Sequence, residues 1–206
     1  MRAAPILLAL LLSACSAGPQ GHPRGQRPLP LGANPSAVIA ADLALARAAL
    51  DQGQWTGLAQ FAAADATLYV PEQVNALQWL KGRANPAQTA RRQPHQVWSS
   101  CDGSLAATHG ARQGAGGAAG QYLTIWQRQP NGSLKWLLDV TGPVEQPLAR
   151  PEMLSATIAD CAAPRAKPDT SLSWQVGPLE GGTRPVELYL LQGGERRTVL
   201  HFMARE

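Results

Sequence analysis

Gly120–Val140 reads GQYLTIWQRQPNGSLKWLLDV, and this stretch decides the fold. Gln121–Gln129 (QYLTIWQRQ) and Ser133–Val140 (SLKWLLDV) are rich in aromatic and branched residues, the composition of half-buried strands. Between them lies Pro130-Asn131-Gly132, a turn signal whose glycine tolerates positive φ. The pair therefore reads as an antiparallel hairpin. Asn131-Gly132-Ser133 also matches a glycosylation sequon, but the turn accounts for it. Alternation places Tyr122, Thr124, Trp126 and Arg128 on one face of the first strand.

The pattern continues on either side. His95–Cys101 (HQVWSSC) and Ser104–Ala111 flank Asp102-Gly103, a two-residue hairpin signal. The glycine-rich Gly110–Gly120 (GARQGAGGAAG) reads as the connection to the next hairpin, at most a lid over a pocket. It lacks the Gly-Lys-Ser/Thr ending of a phosphate loop. Upstream, Ser36 reads as an N-cap, with Ile39, Leu43, Ala46 and Leu50 on one helical face, and Gly53 ends that helix. Trp55, Leu58 and Ala62 continue the spacing into a second helix. Ala66–Val70 (ATLYV) is a strand stopped by Pro71, and a third helix spans about Asn75 to Lys81. After Pro143 the chain turns irregular, with a short helix expected around Glu152–Ala159. Three further strands follow, at Leu172–Val176, Pro185–Leu191 and Arg197–Met203. No internal repeat is present.

Helices, one strand, another helix and then long hairpins is the order of cone-shaped α+β domains. Phe61–Tyr69 (FAAADATLY), Gly120–Arg128 (GQYLTIWQR) and Asn131–Asp139 (NGSLKWLLD) resemble the nuclear transport factor 2-like superfamily, which includes ketosteroid isomerases and polyketide cyclases. The likeness covers Ala37 to Val140. It implies a curved antiparallel sheet wrapped around N-terminal helices, an open-ended apolar pocket, and a C-terminal β-rich extension outside the match. These are fold motifs, and such folds host enzymes, binding modules and assembly domains alike.

A cone-shaped pocket would take its walls from Tyr69, Trp79, Trp98, Tyr122, Trp126 and Trp136. Aromatic walls with a few polar groups typify ligand sites, although aromatics of this size also fill ordinary cores. The ionisable candidates are Asp65, His95, Asp102, His109 and Asp139. Asp102 is explained by its turn and Asp65 by a helix-to-strand junction. Asp139 and His109 are left as pocket groups able to move a proton, although a satisfied surface histidine is the commoner case. Ketosteroid isomerases pair an Asp base with a Tyr and a protonated Asp; no such set falls at a recognisable spacing here, so no catalytic residue is assigned. No Gly-x-Ser-x-Gly element is present, which argues against a serine hydrolase. The four histidines form no i,i+4 pair and no cysteine pair has ligand spacing, so neither metal nor cofactor is expected.

The beginning of the chain addresses it to an envelope. Met1-Arg2, the apolar Pro5–Leu12 (PILLALLL) and the small Ser13-Ala14 have the architecture of a secretory signal, far short of a membrane span. Leu12-Ser13-Ala14-Cys15 looks like a bacterial lipobox, which implies cleavage after residue 14 and acylation of Cys15. Ser16 in place of Asp implies the periplasmic face of the outer membrane. Residues 15–36, dense in Gly and Pro, read as a disordered tether that contains His22, followed by the domain at 37–142 and the extension at 143–206. With Cys15 acylated, Cys101 and Cys161 remain in an oxidising compartment, where only one pairing exists, so a Cys101–Cys161 disulfide is expected. A formal charge of +4 is too mild and dispersed for a nucleic-acid footprint. Lys81-Gly82-Arg83 and Arg91-Arg92, the densest basic points, read as solvated faces, with contact to an anionic envelope surface as the alternative.

The sequence thus points to an exported envelope lipoprotein, membrane-bound through its lipid, that binds a small apolar ligand or a protein partner. The alternative is an isomerase, lyase or dehydratase with Asp139 or His109 as proton-transfer group. A third reading is a homodimer formed through an open sheet face.

Overall fold

In the computed structural model, residues 32–161 and 168–205 are described. The expected signal, Cys15 and the expected tether through residue 31 lie outside them. The first helix, α1 (Pro35–Gln52), starts earlier than Ser36: Asn34 caps it by accepting the Ala37 N–H at 3.1 Å, with Pro35 in the first turn. Its buried face is Val38, Asp42, Leu45 and Ala49, whereas Leu43 and Leu50 are about half exposed. The expected face through Ile39, Leu43 and Leu50 is therefore corrected by about one residue of helical rotation. The true face includes an acid, which the apolar periodicity passed over.

Gly53, at φ 100°, turns the chain into α2 (Gln54–Phe61). The Asn85 carboxamide braces this corner by accepting the Trp55 N–H at 2.8 Å and donating to the Thr56 hydroxyl at 3.0 Å. A Cβ at Gly53 would fall 2.3 Å from that carboxamide. The two helices meet at Gly57, where a Cβ would stand 2.4 Å from the Ala49 backbone nitrogen. Gly57→Ala must push α2 away, and overpacking of this kind costs about 1–3 kcal/mol. The expected result in a thermal melt is a fall in Tm of about 2–4 °C for each kcal/mol lost; an unchanged Tm would show that the helices separate freely.

α2 passes directly into β1 (Ala62–Tyr69), four residues before the expected strand start, because Ala62 pairs with Trp136. A short β2 (Gln73–Asn75) returns along β1, and Asn75 caps α3 (Ala76–Leu80) through the Gln78 N–H at 3.0 Å. Then come β3 (Arg91–Ser99), β4 (Leu105–Gln113), a single 3₁₀ turn (Ala115–Gly117), β5 (Ala119–Arg128) and β6 (Leu134–Pro143). The β3–β4 connection spans residues 100–104 and is wider than the expected two-residue turn. Its members are held elsewhere: the Cys101 N–H donates to the Ser171 hydroxyl at 2.8 Å and the Asp102 N–H to the Asp169 carboxylate at 2.9 Å.

Where a helix was expected at Glu152–Ala159, the chain forms β7 (Ser155–Ile158), parallel to β3. The open edge of β3 offers unpaired backbone groups that a local helix would leave unused. The seven-stranded sheet has the order β2-β1-β6-β5-β4-β3-β7 and is mixed. Its β1–β6 and β3–β7 pairings are parallel, which corrects the expectation of an antiparallel sheet. Both pairs join strands far apart in sequence, so no hairpin constrains their direction. Register shifts in β1, β3 and β6 add to its curvature.

The last strands, β8 (Leu172–Val176), β9 (Thr183–Gln192) and β10 (Glu195–Arg205), form a second sheet, order β10-β9-β8. Strand alternation sends neighbours to opposite faces of the large sheet. Val97, Trp126 and Trp136 pack with Val38, Leu45 and Leu58 of the helices, and Trp98, Ile125 and Leu138 pack with Leu188, Leu190 and Phe202 of the small sheet. β8–β10 thus cover the face of the large sheet opposite the helices. The Cys101–Cys161 disulfide is present, with Cα atoms 5.1 Å apart.

Candidate functional site

A cleft of about 230 Å³ opens between α2, α3, the strands β1 and β6 and the end of β10, where Ala204 and Arg205 line it. Its apolar wall comprises Trp55, Leu58, Leu68, Tyr69, Trp79 and Val140. Trp55 and Trp79 meet edge to face at 5.4 Å, a favourable quadrupole arrangement. The Arg83 guanidinium lies 3.6 Å over the Trp79 ring, so this basic point covers an aromatic wall as well as facing solvent. Asp139, Arg112, Gln54 and Thr141 form a polar end, and Arg205 of β10 also lines the cleft.

Behind that end lies a buried polar network. Asp139, on β6, accepts from Arg92 Nη2 at 2.8 Å and from the Thr124 hydroxyl at 2.7 Å. Both members of the ion pair are more than nine-tenths buried. The Arg92 guanidinium also stacks 3.9 Å over the Tyr122 ring. Tyr122 in turn donates its hydroxyl to Asp42 Oδ1 at 2.9 Å, and the Thr108 hydroxyl donates to Asp42 Oδ2. The Trp126 indole completes the chain by donating to Thr108 at 3.0 Å. Five elements of the fold, α1, β3, β4, β5 and β6, thus meet through side chains of opposite or complementary polarity.

Burial pushes the Asp42 carboxyl above the usual carboxylate range, against the pull of Arg92 and its two hydroxyl donors. Burial also opposes the Arg92 charge, but Asp139 and Asp42 outweigh it and hold the guanidinium proton more tightly than usual. The Tyr122 hydroxyl is raised by burial and by Asp42. Arg112 differs from these. Burial lowers its pKa, against the pull of Asp139 and with the neighbouring Arg92, and its side chain donates no hydrogen bond to any described residue.

Of the residues singled out from sequence, Tyr69, Trp79 and Asp139 come together on the cleft. Tyr122 lies beneath its polar end, while Trp126 and Trp136 are sealed in the core, the latter donating to the Leu58 carbonyl at 2.9 Å. Trp98 and His109 are corrected: they belong to the opposite face, Trp98 in the apolar layer under the small sheet and His109 6.1 Å from the Phe202 ring. His109 pairs with the Gln121 side chain at 3.0 Å, and burial holds its pKa below the usual histidine value. Burial and His109 likewise lower His95. Asp65 is exposed, and Asp102 closes its own turn through Ser100 and Ser104.

Asp42, Arg92 and Arg112 were not anticipated as site residues. A usable signal existed for Asp42, an acid in register with Val38, Leu45 and Ala49. One also existed for Arg92, since strand alternation must separate it from exposed Arg91. Among the described residues no group of three or more acidic, histidine or cysteine side chains could hold a metal ion, and no helix is long and apolar enough to cross a membrane.

No protein-family model and no curated protein sequence matches the chain. A crystal structure described as a "putative ketosteroid isomerase" from Parabacteroides distasonis is similar over 57% of this chain and 98% of that one, with 12% identity and a TM-score of 0.42.

Proposed function

We propose that this is the globular domain of an exported, lipid-anchored envelope protein, and that it binds a small apolar ligand in the cleft walled by Trp55 and Trp79. The observation that carries the reading is the wall itself: two indoles, a tyrosine and aliphatic side chains around about 230 Å³, with Asp139 and Arg112 among its few polar groups. Ligand sites are built this way, and the volume, below the ~300–1,000 Å³ of drug-sized sites, suits a compact ligand. The anchor, the periplasmic location and the cone-shaped nuclear transport factor 2-like character of residues 37–142 belong to the same proposal and rest on the sequence motifs.

An isomerase, lyase or dehydratase is less well supported. Asp42, the carboxyl whose pKa is raised, has no solvent exposure and both its oxygens are occupied. Asp139 does reach the cleft but is already committed to Arg92 and Thr124, and a general base needs a proton within reach.

The test is a fluorescence titration of the full chain with 1-decanol. Saturable, one-to-one quenching is expected, and Trp79→Ala should weaken binding about tenfold, equivalent to ~1.4 kcal/mol. Linear, non-saturating quenching, or an affinity indifferent to Trp79, would remove the cleft as a binding site.

A further inference from the structure

We infer that the ligand of this cleft is an amphiphile with an anionic head group of the carboxylate type, and that Arg112 receives the head group. The inference rests on the apolar-ligand reading above and adds the chemistry of the polar end. Arg112 lines the 230 Å³ apolar cleft and also a wider neighbouring cleft of about 560 Å³. It stands where the two meet. A half-buried guanidinium carries five donors, and here none of them is used by a described residue.

The local charge is unbalanced in the same direction. Asp139 is the acid on the apolar cleft, and its charge is taken up by Arg92 at 2.8 Å. Asp42 lies deeper, closed off by Tyr122 and Thr108. Beyond Arg112, the wider cleft is lined by Arg91, Arg92 and Arg150 and by no acidic residue. An anion arriving at Arg112 from the wider cleft therefore meets Arg91 and Arg150 with no acid beside them, while Asp139, the carboxylate that also acts on Arg112, is held by Arg92. Guanidinium geometry matches a carboxylate with two parallel hydrogen bonds. A neutral head group would leave the same donors unpaired in a partly desolvated place, which is the basis of discrimination between ligands of equal apolar area.

The experiment compares sodium decanoate, 1-decanol and decyltrimethylammonium on the full chain, read by fluorescence of the cleft tryptophans, with Arg112→Gln and Arg112→Lys alongside the unsubstituted protein. Decanoate should bind at least about tenfold more tightly than decanol, with the cation weakest. Arg112→Gln should erase the preference for decanoate, lowering decanoate affinity at least about tenfold more than decanol affinity, and Arg112→Lys should retain part of the preference. Thermal melts of both variants establish that they are folded. Equal binding of decanoate and decanol by the unsubstituted chain would overturn the inference and leave the cleft reading intact. A preference that survives Arg112→Gln would overturn the role of Arg112. Failure of all three amphiphiles to bind would overturn both.

Discussion

Arg92→Ala is expected to destabilise the protein by about 3–5 kcal/mol, the cost of breaking a buried ion pair by removing one partner. Arg92 and Asp139 are both more than nine-tenths buried, so solvent cannot replace the lost partner. Asp139 would keep only the Thr124 hydroxyl. Asp42 would lose the cation that most opposes its burial, and Tyr122 would lose the guanidinium stacked on its ring. Chemical denaturation should show the midpoint falling with the slope unchanged. Arg92→Met combined with Asp139→Leu should recover at least about half of the loss, because apolar replacement of a whole buried pair is often neutral. A single variant within about 1 kcal/mol of the unsubstituted protein would mean that the pair is hydrated and that the network does not hold the sheet to α1.

The second large effect concerns the disulfide. Cys101 and Cys161 are separated by 60 positions, and closing a loop of that size contributes about 4 kcal/mol in chain-entropy terms. Replacing both by serine should lower stability by an amount of that order, measured by denaturation of the full chain under non-reducing conditions. The bridge ties the β3–β4 turn to the segment that follows β7. Hydrogen bonds from Ala159 to Ser99, at 2.9 Å, and from Asp160 to Leu191, also at 2.9 Å, continue the attachment towards the small sheet. Loss of the bridge should therefore loosen β7 first, visible as faster amide exchange at residues 155–158 than in β5. Equal stability of the serine variant would show that these backbone bonds suffice.

Much of the strand pattern was legible because alternation, turn chemistry and Gly-containing connections act locally. Gln121–Gln129 and Ser133–Val140 fall within β5 and β6, apart from the turn-proximal Gln129 and Ser133, and Leu172–Val176 is β8 to the residue. What could not be read depends on distant partners. Ser155–Ile158 is a strand because β3 has an open edge, and residues 62–65 leave the helical pattern because β6 lies beside them. The candidate site was legible in its aromatic wall, through Tyr69 and Trp79, and in Asp139. Its ionic part was not, because periodicity rewards apolar residues and discards charges. Asp42 was hidden by a helical face chosen for leucines, and Arg92 by its exposed neighbour Arg91. Trp98 and His109 were assigned to the wrong side, since one sequence cannot say which face of a sheet covered on both sides meets the helices.

The most direct test follows the indole N–H signals of the full chain in a two-dimensional proton–nitrogen spectrum during addition of 1-decanol. Trp55 and Trp79 line the cleft, whereas Trp98 and Trp174 pack on the opposite face and Trp126 is sealed with its N–H on Thr108. Saturable shifts confined to the first pair, with Trp98, Trp126 and Trp174 unmoved, are the predicted result. Shifts concentrated on Trp98 and Trp174, or spread evenly over all the indoles, would contradict a binding site walled by Trp55 and Trp79.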